Sequence, residues 1–180
     1  MTRPSRLLMR REGFDDLPTL SMEFGYLLRS ARSGDDEVWC QVTDGHTYDG
    51  WNPDKFRSEV LHAPQFDPRG LFFVTIGSRA AGTGCAWIPR PDERDTGVLR
   101  LLVVKEEHRR KGLGAFLALQ VLQYFKSRHF RACHAEIKDH GLAGIKTFLS
   151  LGFKPVCAND TQRRRWDHIL RRIDSPSKTC

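Results

Sequence analysis

The sequence predicts a mixed α/β domain of ordinary size, and three observations predict it. Strand-like and helix-like apolar patterns alternate along 180 residues, as they do when helices are layered on a sheet. Three neighbouring runs, Leu71 to Ile76, Ala80 to Ile88 and Val98 to Val104, are separated by polar turns and read as an antiparallel meander. The last of these runs feeds a loop with two glycines and then a long apolar helix, an order that places bare backbone amides at a helix start.

With 39% hydrophobic and 28% charged residues, the chain matches a soluble folded protein and excludes disorder and fibre. Its length suits a single domain, expected over 21–174, with a frayed tail at 175–180. No stretch approaches the roughly 18 uncharged apolar residues of a membrane span. The first eleven residues hold Arg3, Arg6, Arg10 and Arg11 and no acid, and no apolar core with a small-residue cleavage site follows. Residues 1–20 are therefore expected to form a basic flexible lead rather than a secretory signal. The five cysteines are odd in number, widely spread and without metal-site spacing, which points to the cytoplasm and to no structural metal.

From the lead onward the elements follow in order. Gly25 to Arg29 reads as a short strand, and Asp35 can cap a helix through Cys40. Asn52-Pro53-Asp54 is a stronger start, with a capping amide, a proline in the first turn and an acid at the positive helix end, so a helix runs to about Leu61. Residues Ala63 to Gly70 punctuate it as a loop before the meander. After Gly114, the positions Leu113, Phe116, Leu117, Gln120, Val121, Tyr124 and Phe125 recur at helical spacing, with Ala118, Leu119 and Leu122 apolar on other faces, so this helix is largely buried. Ala132 to Lys138 alternates as a strand and, following a helix, pairs in parallel. Leu142 to Leu151 forms a helix stopped by Gly152, Phe153 to Val156 a last short strand, and Asp160 or Thr161 caps a basic helix ending near Ile173.

A formal charge of +7 favours a polyanionic ligand, whether nucleic acid, anionic lipid or a phosphate-rich cofactor. The loop Lys105 to Gly114 suits the last of these. Gly112 and Gly114 carry no Cβ to hold a phosphate away, and Arg109, Arg110 and Lys111 surround the turn with charge. The spacing is neither Gly-x-Gly-x-x-Gly nor the Gly-Lys-Ser/Thr ending of triphosphate loops.

The segment Leu99 to Gly114, with its Arg109-Arg110-Lys111-Gly112-Leu113-Gly114, resembles the acyl-CoA-binding segment of the GNAT superfamily of N-acyltransferases. Gly144 to Phe153, ending in the pair Gly152-Phe153, is similar to that family's late helix. The resemblance spans about Gly25 to Phe153 and is close from Val98 onward, which makes 98–153 the expected acyl-CoA-binding core. It implies a mixed, mostly antiparallel sheet of six to seven strands, helices on both faces, and a splay at the cofactor site. It further implies acetyl-CoA as co-substrate, with its pantetheine arm along Leu102, Val103 and Val104 and its pyrophosphate on the amides of Arg110, Lys111, Gly112, Leu113 and Gly114. The reaction so implied is direct attack of a primary amine, from a small molecule or a peptide, on the thioester. Family habit adds a homodimer.

Glu136 stands where some members place a carboxylate base, and strand alternation sets it opposite Cys133, Ala135 and Ile137. His134 projects to the same face and titrates near neutrality. An exposed strand carboxylate or ion-pair partner is the plainer alternative for the first, and a structural histidine for the second. Phe148 occupies the position of a family tyrosine that protonates the leaving sulfur, and phenylalanine has no proton to give. Gly141, Gly144 and Glu106 also depart from the common asparagine, alanine and proline. Tyr26, Tyr48 and Tyr124 are other candidate donors, and His46, Tyr48 and Trp51 fall where the acceptor wall is often built. Two rivals stand beside the transferase: a CoA-binding module of little activity, and a basic nucleic-acid-binding protein using the arginines of Arg163 to Arg172.

Overall fold

The computed structural model describes residues 6–44, 51–90 and 92–174. Seven strands form one sheet in the order β2-β3-β4-β5-β6-β1-β7. They are β1 (Leu7–Glu12), β2 (Tyr26–Ser30), β3 (Leu71–Ile76), β4 (Arg79–Trp87), β5 (Thr96–Val104), β6 (Ala132–Ile137) and β7 (Lys154–Pro155). Every pairing is antiparallel except β5 with β6. The meander and the parallel return are those the sequence predicts, and the mixed sheet has helices on both faces.

Helices α1 (Asp35–Thr43) and α2 (Pro53–Phe56, continuing as a wide turn over Arg57–Leu61) cover one face of the sheet's first half. Trp39 stacks on Phe56 at 4.2 Å between centroids, and Trp51 meets Trp39 edge-on at 4.7 Å, all against Leu71, Phe73, Cys85, Leu101 and Val103. Helices α3 (Leu113–Ser127), α4 (Leu142–Ser150) and α5 (Asp160–Asp174) lie on the other face. There Leu99, Cys133 and Ala135 of the sheet pack beneath Leu122, Phe125, Ile145, Phe148 and Trp166.

The helix ends obey local chemistry. Asn52 accepts from the Lys55 amide at 2.9 Å, as a capping side chain should, while α5 is capped by Asn159 and not by Asp160 or Thr161. Gly152, at φ +80, ends α4, and Phe153 donates its amide to the Phe148 carbonyl at 3.0 Å while their rings sit 5.2 Å apart. The Gly-Phe pair is thus a left-handed helix stop with its apolar clasp.

One expectation is corrected. The lead expected to be flexible over 1–20 contributes β1, wedged between β6 and β7 with Leu7 facing Ile137 and Arg10 facing His134. Leu7, Met9 and Arg11 point inward, so the arginines do not all face solvent. Arg11 is 3% exposed; its guanidinium meets the Leu151 carbonyl at the end of α4, Asp16, and the Gly13 carbonyl at 3.1 Å. A cation at that negative helix end is favourable. A Cβ on Gly152 would collide with this guanidinium, so the first strand is keyed into the stop of α4. The expected frayed tail at 175–180 lies outside the described residues.

Two predictions follow from this packing. A Cβ on Gly97 would fall on the Phe125 ring, and Phe125 is fully buried, so Gly97→Ala should lower stability by about 1–3 kcal/mol and reduce the melting temperature in calorimetry. His134 Nε2 lies 2.8 Å from Arg10 Nη1; since guanidinium only donates, this nitrogen accepts and the ring is neutral. Burial, and then the Arg10 charge, hold the pKa of His134 below its usual value, with Glu12 opposing weakly. The unfolded state thus binds the proton more readily, so acidification through the ordinary histidine range, about 6.5, should lower the melting temperature. His134→Gln should flatten that part of the pH profile.

Candidate functional site

The site begins where two strands part. The β5–β6 ladder runs from Thr96 facing Ala132 to Leu99 facing Ala135 and ends there, although β5 continues to Val104 and β6 to Ile137. In β5 the register against β4 shifts, so that Leu101 and Leu102 together oppose Gly84, and Leu101 takes a φ of +56. Such a bulge bends a strand and re-aims its side chains. Leu102 consequently faces α3 while Leu101 and Val103 face α1 and α2. Beyond Leu99, the β6-facing edge of β5 has no strand partner among the described residues, leaving an open stretch of edge along Leu102 to Val104 for a ligand to pair with.

A cavity of about 690 Å³ fills the gap. Its lining comes from both faces of the sheet. On the α3 and α4 side its wall is Leu102, Ile137, Gly141, Gly144 and Phe148; on the other it is Trp87, Arg100, Leu101, Glu136 and Arg6. A second cavity, of about 600 Å³, lies at the far end of α3 around Asp67. There burial raises the carboxyl, but hydrogen bonds from Arg69 and Tyr124 outweigh it and hold its pKa at about 2.

The glycine loop leaves β5 beside the first cavity. Arg109 Nε donates to the Val104 carbonyl at 3.1 Å and ties the loop to the strand end. Arg110 has φ +61 and Gly112 φ +74, and the left-handed Gly112 opens α3. The first intrahelical bond here is Phe116 amide to Gly112 carbonyl, at 3.0 Å. The amides of residues 110 to 115 donate to no protein acceptor among the described residues. Consecutive unpaired N–H groups at the positive end of a fifteen-residue helix, with Arg110 and Lys111 exposed around them, make a concavity suited to a diphosphate. Gly114 is different from Gly112: its φ is not left-handed, and an added Cβ would meet only Val104 Cγ2, at an ordinary 3.8 Å. Nothing in the fold demands a glycine at 114.

Of the candidate acid–base residues, Glu136 lines the cavity, with its side chain 52% exposed and accepting from Arg6 Nη1 at 2.9 Å. His134 is two residues back on the same strand face but does not line the cavity, and Arg10 occupies its Nε2. Phe148 is buried at the cavity wall. Tyr124 donates to Asp67 Oδ2 at 2.8 Å, and burial, then this bond, push its hydroxyl up to about 12. The Tyr26 hydroxyl is 2.9 Å from His108 Nδ1, beside the loop and outside the cavity. Trp51 packs on Trp39 rather than on the cavity, and His46 and Tyr48 lie outside the described residues.

Arg6, Trp87, Arg100, Lys138 and His140 also line the cavity and were not singled out from the sequence. Arg100 carried a usable signal, since it alternates with inward Leu99 as Glu136 does with Ala135. Arg6 carries none, because the strand it precedes, β1, does not show in the sequence pattern. No cluster of His, Cys, Asp or Glu among the described residues can hold a metal, and no described helix is long and apolar enough to cross a membrane.

Comparison with known proteins meets the same architecture. The mycothiol acetyltransferase of Geodermatophilus obscurus is 26% identical over 169 residues, covering 88% of this chain and 54% of that protein. The chain spans about half the length of the curated relatives it matches. Among solved structures, the GCN5-related N-acetyltransferase of Sphaerobacter thermophilus superposes with a TM-score of 0.67 at 15% identity, covering 86% of this chain and 50% of that one. Rv2747 of Mycobacterium tuberculosis, solved with CoA and NLQ, gives a TM-score of 0.58 at 14% identity, covering 81% of each chain. At these identities the superpositions speak for the fold alone. The profile of the acetyltransferase (GNAT) family matches residues 36–153, from α1 through the Gly-Phe stop, and by that match the chain belongs to the GNAT acetyltransferase family.

Proposed function

We propose that this chain transfers the acetyl group of acetyl-CoA to a primary amine by direct attack. The observation that carries the reading is the parting of β5 and β6 beside a loop of unpaired amides, which sets a diphosphate cradle next to a cavity lined from both sheet faces. In this reading the amides from Arg110 to Gly114 hold the diphosphate, with Arg110 and Lys111 adding charge. The β5 edge at Leu102, Val103 and Val104 pairs with the amide-containing arm. Acetyl-CoA supplies the activated acyl group as a thioester, which would enter between Leu102 and the Gly141–Gly144 turn.

The amine approaches from the opposite face, where Glu136 stands. Its carboxylate accepts the proton that the attacking nitrogen must lose. His134 is assigned instead to holding Arg10 across the β1–β6 pairing. No cysteine or serine is among the described cavity-lining residues, which favours direct transfer over a covalent acyl-enzyme. Phe148 has no proton to offer and the described tyrosines are committed elsewhere, so the departing thiolate takes its proton from another group or from water. The protein's contribution is then chiefly to position two reactants on either side of one opening.

Two outcomes test the reading. Acetyl-CoA should raise the melting temperature, and go on raising it logarithmically with concentration above its dissociation constant, and a thiol-release assay over an amine panel should show turnover. Glu136→Gln should lower kcat by about 10²-fold or more while the acetyl-CoA dissociation constant stays nearly unchanged; an unaltered kcat removes Glu136 from the mechanism. Gly114→Ala should leave the melting temperature of the free protein unchanged or higher, since alanine is the better helix former, yet weaken acetyl-CoA binding in calorimetry. Unaltered binding would mean that the diphosphate does not approach Gly114.

A further inference from the structure

Arg100 stands out among the arginines. Four other described arginines are buried or half-buried, and each holds a carboxylate: Arg10 with Glu12, Arg11 with Asp16, Arg29 with Asp35 at 2.6 Å, and Arg165 with Asp139. Arg100 is half-buried too, but its guanidinium makes no hydrogen bond or ion pair among the described residues. It lies over the Trp87 ring, 4.6 Å from the centroid, on the cavity wall. A guanidinium resting over an indole ring still has N–H groups to offer an anion, and partial burial makes an unanswered cation costly.

The cavity does not answer it from within. Glu136 is the one carboxylate among the described lining residues, and Arg6 already pairs with it at 2.9 Å. Lys138 adds a further positive charge to the same wall. The diphosphate cradle cannot explain the excess, because residues 109 to 114 do not line this cavity. Position makes the point sharper. Leu99 and Ala135 form the last ladder pair and face α3 and α4. Arg100 and Glu136 are the next residue on each strand and face the other way, toward the side from which the amine approaches. An acceptor whose nitrogen meets Glu136 therefore presents the atoms a few bonds away to Arg100.

We infer that the acceptor is a small amine carrying a carboxylate within a few bonds of its nitrogen, as a free amino acid does, and that Arg100, seated on Trp87, is the residue that binds this carboxylate. The inference rests on the acetyl-transfer reading above and narrows it to a substrate class. Arg100 fixes the carboxylate, and the amino group is thereby aimed at the opening between β5 and β6. Amines lacking the anion forfeit that anchor and leave the guanidinium unmatched in the complex.

The test uses matched pairs of acceptors, each an amino acid and its carboxamide, in a thiol-release assay at saturating acetyl-CoA. The acid should exceed the carboxamide at least tenfold in kcat/KM for the favoured pair. Arg100→Met should collapse that ratio toward one, and Arg100→Lys should retain part of it, with acetyl-CoA still raising the melting temperature of both variants as proof that they fold. Equal turnover of acid and carboxamide by the unaltered protein overturns the inference without recourse to any variant. So does a preference that survives in Arg100→Met, or a phosphate-bearing amine that outperforms every amino acid. Those results leave acetyl transfer standing. Absence of thiol release with every amine, together with no thermal shift from acetyl-CoA, would instead remove the parent reading and the inference with it.

Discussion

Everything at the site depends on the failure of two parallel strands to stay together. Four register pairs join β5 to β6, and then the bulge opposite Gly84, with Leu101 in a left-handed conformation, turns β5 away. A non-glycine residue at positive φ costs about 1–3 kcal/mol, so the surrounding core must hold it there. Leu101 and Val103 do this by packing against Trp39 and Phe56 on one face, while Leu102 contacts the α3 face. The strain has a structural return. It frees a strand edge, makes room for a cavity lined from both faces of the sheet, and brings the end of β5 to the start of α3, where amides are without partners among the described residues.

The cohesion lost at the splay is made good one strand further on. β6 keeps its antiparallel partner β1 over six register pairs, and β1 is fastened at both ends of its length. Arg11 reaches the end of α4 through the space that Gly152 leaves, and Arg10 meets His134 across the pairing. Arg6, just ahead of β1, ends beside Glu136. The strand that steadies the far wall of the opening therefore also supplies a charged group to its mouth.

How much of this was legible follows from what each residue must satisfy. The meander, the glycine loop and the buried helix announce themselves because their residues answer to one face or one turn at a time: Leu71 to Ile76 is apolar but for Thr75, and Gly112 needs its positive φ. β1 was hidden because Arg11 sits at an inward position, so Leu-Leu-Met-Arg-Arg-Glu reads as an apolar patch followed by a charged tail. Its inward arginine is intelligible only with the α4 carbonyl and Asp16 in view, and these partners are distant or out of phase in the chain. For the site, the loop residues were readable as local backbone chemistry, whereas the face shared by Arg100, Trp87 and Glu136 depends on where a ladder stops. Alternation gives the side of a strand on which a residue lies; it does not give the position at which neighbouring strands separate.

The placement of β1 has a bearing on how the molecule is made. Its partners are β6, which ends at Ile137, and β7, at Lys154–Pro155, so this segment must wait for more than a hundred further residues to emerge before it can pair. Pairings of such long sequence separation close late and slowly. Until then the growing chain can assemble the meander and α3, which are local, while β1 has neither of its partner strands. During that interval β1, with its inward Leu7 and Met9, is open to any extended segment nearby, and the ribosome-bound intermediate carries a hazard that the finished sheet has closed.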